Sequence, residues 1–237
     1  MTRMSPAKYN LTRFKGKLIA IDGPAGAGKS TTARRLAEQL GYVYLDTGAM
    51  YRALTWLALD KGVDPADAKK LAGLAEESPV SFKSSEDGGQ RVFIDGHDVT
   101  EAIRSPEITA RVSEVSAHPG VRKAMVVRQR QIGKKGSVVA EGRDTTTVVF
   151  PQADLKIYLD ASIHERAQRR LLDMARMGVS TSLEEQEDQI RRRDGYDSQR
   201  KHSPLTKARD AILVNTTNMS IDQQVDHIVS LMRSLFK

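Results

Sequence analysis

Five short apolar runs recur along the chain: Leu18 to Ile21, Tyr42 to Leu45, Val138 to Ala140, Leu155 to Leu159 and Ile212 to Val214. Each is too short for a helix and reads as a short, predominantly apolar strand. Between them the periodicity changes to the helical one. Lys29 to Leu40 reads as a helix closed by Gly41, and Thr47 reads as the cap of another that runs toward Lys61 before Gly62. Ser162 with Glu165 forms the capping-box pattern for a helix ending near Gly178. Ser220 with Gln223 starts a last helix, whose Ile221, Val225, Ile228, Val229 and Met232 make one apolar stripe. Strands alternating with helices predict an α/β fold with a parallel sheet.

The alternation lapses between about Pro65 and Gly136. Val80 to Lys83 and Arg91 to Ile94 flank a Gly-rich turn and read as a hairpin, and a charged helical stretch follows from Glu107 to Ile132. Some seventy residues exceed what a crossover between two parallel strands requires. A small inserted domain over 65–136 is expected, with a core built from 18–64 and 137–237.

Composition narrows the class. The chain has 237 residues, 39% hydrophobic and 28% charged, enough for a domain with an ordinary core and unlike a disordered or collagen-like chain. It has no cysteine, which removes disulfides, thiol nucleophiles and Cys-based zinc sites. The longest apolar runs fall far short of the roughly 20 residues of a membrane span. With no secretory signal pattern at the N-terminus, no membrane partner and a cytoplasmic location are expected. The net charge is +7, yet five of the bases (Arg3, Lys8, Arg13, Lys15, Lys17) lie in the first 17 residues, and the other 220 carry only +2. Residues 1–17 read as a basic tail, and the folded body shows no stripe that suits a nucleic acid.

The chemistry is concentrated in Ile19 to Thr31, IAIDGPAGAGKST. Gly23, Gly28, Lys29 and Ser30 fit the phosphate-loop pattern G-x-x-x-x-G-K-[ST] between a strand and a helix. Glycines let backbone N–H groups turn inward around phosphate oxygens, Lys29 reaches the outer phosphates, and the Ser30 hydroxyl suits magnesium. ATP with Mg2+ is the expected donor, on Gly23, Pro24, Ala25, Gly26, Ala27, Gly28, Lys29, Ser30 and Thr31. The five histidines show no ligand-like spacing. Arg52 and Arg143 follow the second and third strands, where ligands bind in open α/β sheets. Arg166, Arg169, Arg170, Arg191 to Arg193 and Arg200 lie in a region, Asp160 to Lys201, with nine bases and nine acids. That balance describes a solvated helix face, whereas guanidinium forks beyond strand ends suit phosphate.

The segments GPAGAGKST, LDTGAMYRAL, VRKAMVVRQRQ, EGRDTTTVVFP, ADLKIYLDAS, ERAQRR and RRRDGYDSQR resemble those of the bacterial cytidylate kinases, in order and over nearly the whole chain from Leu18. The resemblance implies a P-loop kinase fold with a five-stranded parallel sheet flanked by helices, a mobile lid about 175–187 and an inserted domain that helps hold the nucleoside monophosphate. It implies transfer from ATP to CMP or dCMP by a monomer acting on small molecules. Carried over by position, Thr47, Arg122 and Asp144 face the cytosine, Ser113, Arg193 and Asp197 the sugar, and Arg52, Arg143 and Arg200 the acceptor phosphate, while Lys29 and Arg170 serve the donor. Two departures stand out. Thr47 replaces a frequent Ser, and Thr145 and Thr146 stand where the family commonly has a hydrophobic residue and Gly, so a change in the Arg143–Asp144 loop is expected. A switch GTPase, a kinase for another acceptor such as a different nucleotide or shikimate, and a nucleic-acid-binding module are the other classes, and an acceptor screen separates them.

Overall fold

The computed structural model describes residues 14–85 and 89–236. In chain order the elements are β1 (Leu18–Asp22), α1 (Lys29–Leu40), β2 (Val43–Asp46), α2 (Thr47–Asp60), α3 (Ala68–Glu77), β3 (Val80–Ser84), β4 (Gln90–Ile94), β5 (His97–Asp98), α4 (Pro106–Val115), α5 (Pro119–Gly133), β6 (Val138–Gly142), β7 (Leu155–Asp160), α6 (Ile163–Arg176), α7 (Leu183–Gln199), β8 (Ile212–Asn215) and α8 (Ile221–Leu235). The five predicted strands form one parallel sheet in the order β2-β6-β1-β7-β8. β1 pairs with β6 from Leu18↔Val138 to Asp22↔Gly142, and on its other side with β7 from Ile19↔Leu155 to Asp22↔Tyr158. The apolar strand sequences follow from this: every residue of β6 is buried, as are four of the five in β1.

Two compact units divide the chain. The first comprises 1–45, 132–199 and 203–237, the second 46–131 and 200–202. In the first, Ile19, Ile21, Leu36, Val139, Ile157, Leu159, Val225, Ile228 and Met232 pack into one core, so the apolar stripe read on α8 is its buried face. The core extends to Phe14, which is fully buried and meets the Phe236 ring edge-on at 6.2 Å between centroids. Lys17 pairs with Asp154 at 2.8 Å. Packing thus reaches back to Phe14, inside the basic tail expected over 1–17, because an aromatic ring there gains more from burial than the flanking charges oppose. The tail bases Arg3, Lys8 and Arg13 lie outside the described residues, as does the turn 86–88 of the predicted hairpin.

Long-range bonds fasten the end of the chain to its beginning. Thr32 Oγ1 donates to Gln224 Oε1 at 2.6 Å, and Thr216 Oγ1 to the Ala27 carbonyl at 3.2 Å. The Ser220–Gln223 capping box of α8 forms in both directions. On α6 only half of the expected box is present: Ser162 Oγ accepts from Glu165 N–H, while the Glu165 carboxylate pairs with Arg169.

In the second unit, β3, β4 and β5 form an antiparallel sheet, and α2 packs against α4, β4 and the 3-10 turn Ala102–Arg104. Three sequence expectations are corrected. The α2 cap is Asp46, whose carboxylate accepts from Ala49 N–H at 2.7 Å, so Thr47 is the first helical residue. The stretch Glu107–Ile132 is two helices, because Pro119 disfavours helical geometry at His118 and starts a new helix. Between α2 and the hairpin lies α3, capped by the Asp67 side chain, which had not been expected. No helix among the described residues is long and apolar enough to cross a membrane.

Candidate functional site

At the end of β1 the chain enters the loop 23–28 and leaves it into α1. Gly23 has φ +151°, and a Cβ there would lie 2.0 Å from the Leu159 carbonyl oxygen, so only glycine lets the loop pass beside β7. Gly28 caps α1 in a left-handed conformation (φ +90°), with no side-chain cap and no acidic residue in the first turn. The first N–H groups of α1 therefore present positive potential without a competing carboxylate, the arrangement an anion requires. Ser30 and Thr31 are exposed there.

Lys29 is buried, and its Nζ donates to the Pro24 carbonyl at 2.7 Å. Burial foremost, then Arg143 and Arg193, push its ammonium down to about 7, against the opposing pull of Glu141 and Asp22. Ser30 Oγ donates to Glu141 Oε1 at 2.6 Å, and that carboxylate, the fourth residue of β6, is almost fully buried. A hydroxyl beside a carboxylate is a hard oxygen pair of the kind magnesium takes, so these residues fit the ion. Among the described residues no group of three His, Asp or Glu could hold a metal by itself. The remaining ligands would be phosphate oxygens and water, which suits magnesium.

Just past β6, Arg143 Nε donates to Asp197 Oδ2 on α7 at 2.9 Å. Asp197 and Arg143 Coulomb attraction, added to that of Glu141 and Asp194, raises the guanidinium above its usual range against the larger opposing effect of burial. Asp144 is buried next to it. Arg193, Asp194 and Asp197 fall on one side of α7 by helical spacing. Asp194 holds the loop itself: its Oδ1 accepts from Ala25 N–H at 3.1 Å and its Oδ2 from Arg166 Nη1 at 2.5 Å, while Arg166 also donates to the Ala25 carbonyl. Arg169 bonds Thr216 and Glu165, and Arg170 sits half-buried on α6. Of the α6 arginines, Arg166 and Arg169 are thus engaged structurally.

The loop after Asp144 takes its threonines without strain. Thr145 and Thr146 wrap Asp22, the last residue of β1, and neither has a positive φ. Burial raises the Asp22 carboxyl, and its hydrogen bonds with Thr145 and Thr146 oppose that rise. Asp22, Glu141 and Asp194 are the residues not assigned from sequence. All three are acids next to motif residues, but only the fold reveals that Asp22 faces the loop after Asp144 and Asp194 the phosphate loop rather than solvent.

The second unit carries its own group. Arg122, almost fully buried on α5, lies with its guanidinium 5.2 Å from the Tyr51 ring centroid and donates to the Ser116 carbonyl at 2.9 Å. Arg52 Nη1 donates to Thr109 Oγ1 at 3.0 Å. Thr47 is buried one turn before Tyr51, Ser113 is half-buried on α4, and Arg200 is half-buried beyond α7. His118 bonds the Pro65 carbonyl, His97 packs on Trp56 and His164 meets Glu187, which are structural uses.

A family model described as cytidylate kinase matches residues 19–234. A cytidylate kinase of Anoxybacillus flavithermus is 51% identical over 215 residues, 91% of this chain and 95% of that one. A bifunctional pantoate ligase/cytidylate kinase of Synechococcus sp. (strain CC9605) is 50% identical over 234 residues, 98% of this chain and 48% of that one. The chain thus spans about half the length of the bifunctional relatives it matches. Among solved structures, an uncharacterized protein from Eubacterium ventriosum ATCC 27560 shares the fold, with a TM-score of 0.53 at 13% identity over 93% of this chain and 99% of that one. A match across nearly all the described sheet and helices, joined to relatives of half-identical sequence, establishes that the chain belongs to the cytidylate kinase family.

Proposed function

We propose that the protein transfers the γ-phosphoryl group of ATP to CMP or dCMP, giving CDP or dCDP and ADP, as a cytoplasmic monomer of pyrimidine nucleotide metabolism that takes small molecules and no nucleic acid. The observation that carries this reading is the carboxyl edge of β6, where Glu141 meets Ser30 and Arg143 lies in the field of Lys29. The half-buried Arg143 guanidinium, though paired with Asp197, repels the buried Lys29 ammonium, and a bound anion relieves that repulsion.

The loop 23–31 holds the donor phosphates through backbone N–H groups and Lys29. Ser30, with Glu141 behind it, would hold magnesium, which would supply positive charge to the phosphates when bound. Arg52, Arg143 and Arg200 hold the acceptor phosphate and Arg170 assists the donor, so the two anions are brought into line by cations rather than by covalent chemistry. No general base is needed, because the acceptor oxygen is already anionic. Ser113, Arg193 and Asp197 hold the sugar, and Asp197 in doing so shares itself between a hydroxyl and Arg143. Thr47, Arg122 and Asp144 read the base: cytosine offers an amino donor beside two acceptors, which a carboxylate and a guanidinium complement. Residues 65–136 serve as the inserted acceptor domain, and 175–187 as a lid that excludes water.

A screen of acceptors with ATP, scored by ADP release, tests the reading. CMP exceeds UMP in kcat/KM by about tenfold or more, since uracil turns an oxygen toward a carboxylate and leaves both unpaired. Asp144→Asn narrows that gap. Turnover of shikimate or another nucleotide in preference to CMP refutes it.

A further inference from the structure

The two threonines after Asp144 do more than fill the place of other residues. Asp22 is fully buried, and each of its oxygens receives a backbone and a hydroxyl donor from one threonine. Oδ1 accepts from Thr145 N at 2.9 Å and Thr145 Oγ1 at 2.5 Å; Oδ2 accepts from Thr146 N at 2.7 Å and Thr146 Oγ1 at 2.6 Å. Four donors match the four acceptor positions of an ionised carboxylate, which leaves it no freedom to rotate. Asp22 is itself fixed by the sheet, in register with Gly142 on one side and Tyr158 on the other. Only Arg143 and Asp144 lie between Gly142, held in the ladder, and Thr145, held by Asp22. On the far side the Asp144 carbonyl accepts from both Val148 N–H at 2.9 Å and Val149 N–H at 3.1 Å, at the start of a single π-helical turn over Thr145–Val149. Such turns are a recurrent way of aiming side chains at functional sites.

We propose that the hydroxyls of Thr145 and Thr146 set the base specificity of the acceptor site, by locking the Asp22 carboxylate against the loop and so holding Asp144 in the orientation that reads the nucleotide base. This rests on the proposed function. Thr145 and Thr146 are positioning residues that act through Asp144. The backbone N–H groups alone keep the loop near Asp22, but with one donor on each oxygen the carboxylate is free to turn and the loop to follow. Displacements of about 1 Å at such a site cost up to about a hundredfold.

The test uses the full chain with Thr145→Val and Thr146→Val, which keep shape and remove the hydroxyl, and Thr145→Ser and Thr146→Ser, which keep the hydroxyl. KM is measured for CMP and for ATP, with kcat/KM for CMP and UMP. Each valine variant raises KM for CMP about tenfold, leaves KM for ATP within about twofold, and lowers the CMP-to-UMP ratio about tenfold, while each serine variant returns all three to within about twofold of the wild type. Thr145→Ala or Thr146→Ala replaces the valine variant at the same position where that variant fails to fold. Equal losses toward ATP and CMP with an unchanged base ratio, or serine variants no better than valine, overturn the proposal by showing a purely structural clasp. Wild-type turnover of CMP is measured first. Its absence refutes the proposed function instead, and the ratio comparison is then made on the acceptor that the screen identifies and its closest base analogue, with the same outcomes deciding the threonines.

Discussion

ATP binding takes up a proton, and the amount is set by Lys29. Burial, with Arg143 and Arg193 close by, holds the free ammonium at about 7, whereas an unperturbed lysine titrates near 10.4. Lys29 in the ligand-free protein is therefore about 90% protonated at pH 6, about half at pH 7 and about 10% at pH 8. Nucleotide phosphates in the loop add negative charge at this ammonium and restore its proton. Uptake on binding is then about 0.1 proton at pH 6, about 0.5 at pH 7 and about 0.9 at pH 8. Calorimetric titration with a non-hydrolysable ATP analogue and magnesium, in two buffers of different ionisation enthalpy, reads the number directly from the difference in heat. At pH 8 the analogue is fully ionised and adds nothing of its own. Lys29→Arg supplies the control, since a guanidinium keeps its proton throughout and its uptake is near zero. Uptake below about 0.2 at pH 8, or uptake that grows as pH falls, refutes the reasoning.

Lys29→Met lowers kcat by at least about a hundredfold in a steady-state assay. The unfolded chain binds more protons than the folded one between pH 7 and 10.4, so the stability cost of Lys29 is full below pH 7 and is relieved as pH rises through that window; Lys29→Met therefore raises the ligand-free Tm at pH 6, and an unchanged Tm contradicts this. Gly23→Ala, with its Cβ forced to within 2.0 Å of a β7 carbonyl, lowers kcat/KM at least about a hundredfold, and a variant with normal KM for ATP contradicts the loop geometry. Phe14→Ala costs about 3–5 kcal/mol in urea unfolding, since a fully buried ring leaves a cavity in the sheet core; a chain starting at Gly16 loses as much, and one as stable as the full chain shows that Phe14 is dispensable.

What was legible in the sequence had local causes. The inner strands β1 and β6 read as apolar runs because both their faces are covered, and the phosphate loop announces itself by glycines that sterics demand. The start of α8 was readable to the residue, since its cap and its stripe agree. What escaped depended on partners distant in sequence. Asp46 outcompetes Thr47 as a cap because a carboxylate one residue earlier reaches the N–H of Ala49. The interior Gly73 weakens the pattern of α3, whose Asp67 cap was nonetheless there to be read. Glu141 ends a strand and could equally have capped a helix; only the parallel pairing of β1 and β6 brings it to Ser30. Asp194 lay in a charge-balanced segment that reads as a solvated face, and its place under Ala25 follows from the packing of α7.

The bonds that join Gln224 to the start of α1 and Thr216 to the phosphate loop have a consequence for the chain while it is being made. They join residues 192 and 189 positions apart. At ordinary translation rates of about 5–20 residues per second, Thr32 emerges about 10–40 s before its partner exists. During that interval the loop lacks the polar partner of Thr32 and the support of the Ala27 carbonyl, and β8 has not yet closed the sheet edge. A nascent chain thus has the phosphate-loop sequence long before the two bonds that fasten the loop and the start of α1 to the end of the chain can form.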